Sequence, residues 1–144
     1  MKIERQVDLS VDPDQVYRLL MDPDRLGEWV TVHAGFEKAP HRLEQGAEMV
    51  QKLKIAGRRF RVSWKVTQDD RPSLVVWDGK GPAWTKARVV YDIEDRAGTT
   101  RFSYFNEYHL PGGAAGRIAG RAISAAASRE VERSLDQLKK LLEG

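Results

Sequence analysis

The hydrophobic period of this chain limits its possible folds more than any other feature. Between Gly35 and His109 apolar and polar residues alternate, which is typical of β-strands with one buried face. Turn signals divide this stretch into about six strands; they are APHR, the Ala-Gly pair at 56–57, DDRP, GKGP and DRAG. Because the turns are short, successive strands must run antiparallel. An antiparallel sheet with one dry face needs another element to cover it.

The segments before this stretch supply a first strand and two short helices. KIERQVDLSV alternates in the same way and predicts a strand. VDPDQVYRLLMDPDRLGEW contains two consecutive helix starts. Asp12 is predicted to be an N-cap, with Pro13 at the first helical position and Gln15 as its capping-box partner, and Asp22 and Pro23 repeat the pattern.

One long helix, predicted to begin after Pro111 and to run to about Glu143, remains to cover the sheet. Its inner stripe ends in large residues, namely Val131, Leu135, Leu138 and Leu142. Traced backwards, the stripe meets small residues, namely Ala127, Ser124, Gly120 and the neighbourhood of Gly116. Small residues allow either close contact with the sheet or a gap, and a strongly curved sheet favours the gap. Because an empty cavity costs stability, a persistent one indicates an occupant or a function.

Two hairpins can be placed in register from their turns and side-chain pattern. A tight turn at Ala56–Gly57 predicts an inner face of Leu53 opposite Phe60, Gln51 opposite Val62 and Met49 opposite Trp64, with Lys54–Arg59 and Lys52–Arg61 outside. Closure at DRAG predicts Ile93 opposite Thr100, Tyr91 opposite Phe102, Val89 opposite Tyr104, Ala87 opposite Asn106 and Thr85 opposite Tyr108. The outer pairs of this second hairpin would be Asp92–Arg101 and Lys86–Glu107, so Glu107 is predicted to be a surface ion-pair partner.

Length and composition predict a single domain over residues 1–144. The chain has no cysteine, which excludes disulfides and thiolate metal sites and fits a cytoplasmic protein. His33, His41 and His109 are widely separated, so no metal site is predicted, and no cofactor is expected. The N-terminus has no signal-peptide core and no apolar run is long enough for a membrane span, so no membrane insertion is expected.

Three stretches in this order, VDPDQVYRLLMDPDRLGEW, GTTRFSYFNEYHLPGG and the closing helix, resemble the START-like or SRPBCC superfamily over the whole chain. Within it the chain looks most like the polyketide cyclase/dehydratase and lipid-transport branch. The resemblance implies an α+β helix-grip fold, in which a seven-stranded curved antiparallel sheet wraps around a long C-terminal helix. It also implies a hydrophobic cavity for a small molecule such as a lipid or polyketide. No catalytic residues are assigned, because catalytic sets differ between branches of the superfamily.

The predicted partner is therefore a small hydrophobic molecule held between the sheet and the final helix. The predicted polar contacts are Gln51, Tyr104, Asn106 and Tyr108. The predicted walls are Trp29, Met49, Leu53, Val62, Trp64, Val89 and Ala127. Entry is expected near HLPGG, where Gly112 and Gly113 offer a hinge for a gate.

Two other functions stay open. A cyclase or dehydratase could use the same cavity, holding a flexible chain in one reactive shape. Alternatively, a protein-interaction module such as a chaperone regulator could use the basic strand face of Lys52, Lys54, Arg59, Arg61 and Lys65. That face would also suit RNA or a membrane surface, although a solvated strand face explains it more simply. Nucleic acid is not the expected partner, because aromatic stacking groups are missing there.

Overall fold

The computed structural model describes the backbone of residues 1–109 and 114–144, with side chains for 1–109 and 120–144. Seven strands are joined by short helices and followed by one long helix. The strands are β1 (Lys2–Leu9), β2 (His33–Lys38), β3 (Glu48–Ile55), β4 (Arg58–Asp70), β5 (Leu74–Lys80), β6 (Lys86–Asp95) and β7 (Thr100–His109). The helices are α1 (Pro13–Leu20), α2 (Leu26–Trp29) and α3 (Ala114–Glu143), with 3-10 turns at Pro23–Arg25 and Pro82–Trp84.

The strands form one antiparallel sheet in the order β1-β7-β6-β5-β4-β3-β2, which confirms the predicted α+β helix-grip architecture. Successive strands from β2 to β7 are neighbours, and β1 pairs with β7. Strands β2 to β7 are neighbours in sequence order because short turns connect them. The sheet is curved, and its concave face is covered by the helices.

The β3–β4 hairpin has the predicted register. Gln51 lies opposite Val62 and Met49 opposite Trp64, and the basic pairs lie on the other face. The turn consists of Ala56 and Gly57, with φ of 52° and 75°. Two consecutive residues in the left-handed region make the tight turn whose twist matches that of paired strands.

The β6–β7 hairpin differs from the prediction by two residues. Its turn is centred on Ala97 and Gly98, with φ of 51° and 109°, one residue later than assumed for DRAG. The observed pairs are Ile93–Phe102, Tyr91–Tyr104, Val89–Asn106 and Ala87–Tyr108, and Thr100 lies opposite Asp95. An even shift leaves every side chain on its predicted face, because side chains alternate with period two.

The outer ion pairs of this hairpin do change. Arg101 pairs with Asp8 of β1 at 2.9 Å instead of with Asp92. Glu107 lies opposite Arg88 rather than Lys86, and its carboxylate contacts His109 at 3.3 Å. Glu107 is still on the outer face of the sheet, as predicted.

Helix α1 begins as its sequence predicts. The Asp12 carboxylate accepts a hydrogen bond from the Gln15 backbone N–H at 2.8 Å, and the Gln15 side chain accepts one from the Asp12 N–H at 3.4 Å. This reciprocal capping box satisfies two of the free N–H groups at the helix start. Asp22 caps the following 3-10 turn through the Asp24 N–H at 3.0 Å.

Helix α3 packs against the sheet unevenly along its length. Leu135 and Leu138 are buried in the main core, and Val131 and Leu142 pack against it. Ala127 belongs instead to a small separate cluster with Ile3 and Tyr108. The predicted gate around Gly112 and Gly113 lies outside the described residues, and so do the surroundings of Gly116. No helix in the described residues is long and apolar enough to cross a membrane.

Candidate functional site

Two adjoining cavities lie between the sheet and α3. The inner one has a volume of about 110 Å³ and reaches from α2 to the middle of α3. Its described walls are Leu26, Trp29, Val30, Val32, Gln51, Leu53, Ile55, Trp64, Trp77, Val89, Tyr91, Tyr104, Asn106, Ala127, Glu130, Val131, Ser134 and Leu135. Of the predicted small stripe of α3, only Ala127 stands in this wall, and the other α3 residues there lie at 130–135.

The outer cavity is larger, about 320 Å³, and lies toward the β5–β6 loop. It shares Leu53, Ile55, Trp64, Asn106 and Ala127 with the inner one. Its other described walls are Phe60, Val62, Gly81, Pro82, Ala83, Thr85, Ala87, Tyr108 and Ile123. A volume near 300 Å³ is at the lower end of the usual range for small-molecule sites.

The structure brings most of the predicted site residues together around these spaces. The inner cavity is lined by Gln51, Tyr104, Asn106, Trp29, Leu53, Trp64, Val89 and Ala127. Val62 and Tyr108 line the outer cavity. Met49 is the exception, because it is 1% exposed in the main core and stands in the walls of neither cavity.

Five aromatic rings stand together in the inner wall. Trp77 stands 6.1 Å from Trp64 and 5.6 Å from Tyr91, measured between ring centroids. Tyr91 in turn lies 6.1 Å from Trp29 and 6.0 Å from Tyr104. These tilted and edge-on contacts are the preferred aromatic geometries, and they make the wall rigid.

A chain of hydrogen bonds crosses the wall beneath these rings. The Trp64 indole N–H donates to Gln51 Oε1 at 2.9 Å, and Gln51 Nε2 lies 2.8 Å from His33 Nδ1. Because an indole N–H only donates, the Gln51 oxygen must face Trp64 and its amide N–H must face His33. His33 Nδ1 is therefore the acceptor, which requires the neutral imidazole.

The surroundings of His33 agree with this assignment. Burial lowers the pKa of His33 from its usual value of 6.5. A protonated His33 would direct an Nδ1–H at the Gln51 amide donor, and the amide cannot turn without leaving the Trp64 N–H unpaired. The hydrogen-bond chain therefore holds only while His33 is neutral.

A second polar pair stands on β7. Asn106 Nδ2 donates to the Tyr104 hydroxyl at 3.2 Å. Burial raises the pKa of Tyr104 to about 12, and the Asn106 hydrogen bond opposes that rise. Burial also raises the pKa of Tyr91 well above its usual value. Both phenols are therefore neutral hydrogen-bonding groups rather than bases at ordinary pH.

Several buried polar atoms in the walls have no hydrogen-bond partner among the described residues. They are the indole nitrogens of Trp29 and Trp77, Asn106 Oδ1 and the Tyr108 hydroxyl. All four residues line one or both cavities. Leaving a buried polar atom unpaired costs about 1–3 kcal/mol, so such atoms in a native fold call for an explanation.

The hydrogen bonds that join α3 to Thr31, just after α2, were not predicted from the sequence. The Thr31 N–H donates to Ser134 Oγ at 3.0 Å, and the Thr31 hydroxyl donates to the Glu130 carboxylate at 2.6 Å. Glu130 also pairs with Arg133 at 2.9 Å, so its charge is compensated at the cavity wall. Polar residues at 130 and 134, on the helix face that also carries Ala127, were the available signal.

The described residues contain no group of three or more His, Asp or Glu side chains that could hold a metal ion. The only charged side chain in the described cavity walls is Glu130. The site can therefore bind through apolar contact and neutral hydrogen bonds.

Comparisons with known proteins agree with this architecture. A family model described as polyketide cyclase / dehydrase and lipid transport matches residues 1–143. The uncharacterized protein Rv1546 of Mycobacterium tuberculosis is 30% identical over 140 residues, 96% of each chain. The toxin Rv0910 of the same organism is 22% identical over 144 residues, 99% of each chain.

Solved structures extend the likeness to the fold. The Zhui aromatase/cyclase from Streptomyces sp. R1128 superposes with a TM-score of 0.81, covering 99% of this chain and 93% of that chain. Only 13% of its residues are identical, so this likeness concerns the fold alone.

Proposed function

The chain belongs to the polyketide cyclase / dehydrase and lipid transport family, and from that premise we propose that it binds a small, uncharged, largely apolar molecule in the two adjoining cavities. The ligand would carry at least one hydrogen-bonding oxygen. It would lie between the inner sheet face and the small-residue half of α3, with its apolar part against Trp64, Trp77 and Tyr91.

The observation that carries this proposal is the set of unpaired polar atoms in largely apolar walls. The indole N–H groups of Trp29 and Trp77 are donors without an acceptor, and Asn106 Oδ1 is an acceptor without a donor, among the described residues. A carbonyl or ether oxygen would satisfy an indole, and a hydroxyl would satisfy Asn106. Binding would then remove a desolvation cost that the empty protein carries.

The walls also favour a neutral ligand. A buried ion without a partner is costly, and the Glu130 carboxylate is already paired with Arg133 and Thr31. The described walls offer no further charge to an anion or a cation.

The first experiment is native mass spectrometry of the protein purified gently from its own host. We expect a mass increment of one small molecule, released on denaturation and identified as an uncharged apolar compound. If incubation with the protein changes that compound, the protein is also an enzyme, and Asn106→Ala and Tyr108→Phe then separate turnover from affinity.

A matched pair of variants locates the binding. Ala127 is 9% exposed and lines both cavities, whereas Ala125 on the same helix is exposed and lines neither. Ala127→Leu should fill the space and abolish binding of the neutral fluorescent probe N-phenylnaphthylamine. Ala125→Leu should leave binding unchanged.

Circular dichroism checks that both variants retain the native fold, because an unfolded variant would also lose probe binding. Equal probe binding by a folded Ala127→Leu variant would contradict the proposed site.

A further inference from the structure

The convex side of the sheet carries a strongly basic surface. Its members, here called the basic face, are Lys52, Lys54, Arg59, Arg61 and Lys80, and all are exposed. They border one groove, whose described walls contain no carboxylate. Arg61 is partly compensated by Glu37 of β2, two strands away, at 2.6 Å.

This arrangement is unfavourable for the isolated protein. Lys52 lies directly opposite Arg61, and Lys54 directly opposite Arg59. Like charges that face each other across a ladder destabilise a hairpin. Binding to a surface of negative charge would relieve that repulsion.

The loop beside the basic face carries an unusual tryptophan. Trp84 is 92% exposed, whereas Trp29, Trp64 and Trp77 are all at most 7% exposed. It follows two exposed apolar residues, Pro82 and Ala83. The segment KGPAWTK therefore places an apolar tip between Lys80 and Lys86.

The backbone holds this tip outward in a costly conformation. Ala83 and Trp84 have φ of 51° and 62°, which is rare for any residue with a side chain and more so for a bulky one. The loop is closed by the Gly81 N–H donating to the Thr85 oxygen at 2.8 Å and the Thr85 hydroxyl donating to the Pro82 oxygen at 2.6 Å. Strain that persists in an exposed loop points to a use for the presented side chain.

The loop also connects two other features. Gly81 and Pro82 border the groove of the basic face and, on their other side, the outer cavity. Trp84 therefore stands where the positive surface meets the wall of an apolar space.

We propose that the basic face and the loop Gly81–Thr85 together form a peripheral docking surface for a bilayer that carries anionic lipid. Lysine and arginine side chains gain energy near anionic headgroups. Tryptophan partitions to the membrane interface, where its ring is buried and its N–H stays solvated. In this proposal the protein lies on the bilayer surface, since no helix of residues 1–109 and 114–144 is long and apolar enough to cross it.

A single-stranded nucleic acid is the less favoured partner of the same surface. Such binding needs aromatic platforms along a basic groove. Among the described residues, Trp84 is the only exposed aromatic side chain large enough to serve, and it stands at the end of the groove rather than within it. The docking proposal does not depend on occupancy of the cavities.

The test is co-sedimentation with vesicles of phosphatidylcholine alone and of phosphatidylcholine mixed equally with phosphatidylglycerol. We expect binding to the mixed vesicles only, weakening as salt screens the charges. Tryptophan emission should shift to shorter wavelength on binding, because only Trp84 changes its environment. Trp84→Phe should lose that shift.

Two charge-reversal variants supply the control. Lys54→Glu with Arg59→Glu should weaken binding to the mixed vesicles by at least about tenfold. Arg129→Glu with Lys140→Glu removes the same number of exposed charges from α3, and it should reduce affinity much less.

Several results would overturn the proposal. One is no binding to the mixed vesicles at low salt. Another is equal loss in both double variants, which would indicate a net-charge effect. A third is tighter binding to a single-stranded oligonucleotide than to the mixed vesicles. Thermal unfolding verifies that each variant is folded.

Discussion

At the scale of single residues, Gln51 controls the polar chemistry of the inner wall. It is 5% exposed, and its amide links the Trp64 indole to His33. Gln51→Leu keeps the volume but leaves a buried indole N–H and an imidazole nitrogen unpaired. We expect a loss of about 1–3 kcal/mol in the free energy of unfolding, measured with urea. Gln6→Leu is the matched control on an exposed strand position, and its effect should stay within about 0.5 kcal/mol. A smaller loss in Gln51→Leu than in the control would show that the hydrogen bonds add nothing.

His33 gives the same chain a dependence on pH. The pKa of His33 is lowered by burial from 6.5, so the folded state binds a proton less readily than the unfolded state. Its contribution to stability is therefore fully present above pH 6.5 and is lost as pH falls from 6.5 toward the lowered pKa. The stability difference between the wild type and His33→Asn should shrink over that interval. Urea unfolding across the interval measures the difference, and a constant difference would contradict the lowered pKa of His33.

At the scale of elements, β5 and β4 make a close contact in which the Trp64 ring of β4 packs directly on Gly79 of β5. A Cβ at Gly79 would lie 2.5 Å from Trp64 Cε3 and 2.7 Å from Cζ3. The ring cannot move away freely, because Gln51 holds its N–H and Trp77 packs on its edge. Gly79→Ala should therefore destabilise the protein by about 1–3 kcal/mol and alter the near-ultraviolet circular dichroism of the tryptophans.

Gly27→Ala is the control for that substitution. Gly27 lies in α2, and its added Cβ would contact His33 Cδ2 at 3.5 Å, which is an ordinary van der Waals distance. This variant should be neutral or slightly more stable. If both alanine variants had the same stability, close packing of Trp64 on β5 would not be a constraint.

The hairpins show what the sequence could specify at this scale. In both hairpins the alternation of apolar and polar residues predicted the face of the sheet that each residue occupies. The register could be predicted only where the turn residues were also identified correctly. Both turns are an Ala-Gly pair in the left-handed region, at 56–57 and at 97–98. Recognising the second pair as the turn would have placed Tyr104 opposite Tyr91. The contact between His33 and Gln51 was not predictable from alternation, because β2 has a register shift between His33 and Phe36.

At the scale of the whole molecule, the face of α3 toward the sheet has a leucine end at 131–142 and a small-residue end at 120–127. The main core contains Leu135 and Leu138, whereas the separate cluster at the other end is only Ile3, Tyr108 and Ala127 among the buried described residues. The helix sequence predicted the buried leucines Leu135 and Leu138 and the place of Ala127 on the inner face of α3. The unpaired atoms of Trp29 and Trp77 were not predictable, because they depend on how neighbouring rings pack.

Unequal packing predicts unequal local stability. Amide hydrogen exchange should find residues 131–142 of α3 protected nearly to the free energy of global unfolding, and residues 120–127 opening at a cost lower by at least about 1 kcal/mol. N-phenylnaphthylamine in the cavities should raise protection of the second segment most, because opening there releases the probe. The cavity-filling Ala127→Leu variant should raise the same protection without probe. Equal protection along the whole helix, with or without probe, would mean that the small-residue end is as firmly packed as the leucine end and that no probe is bound there.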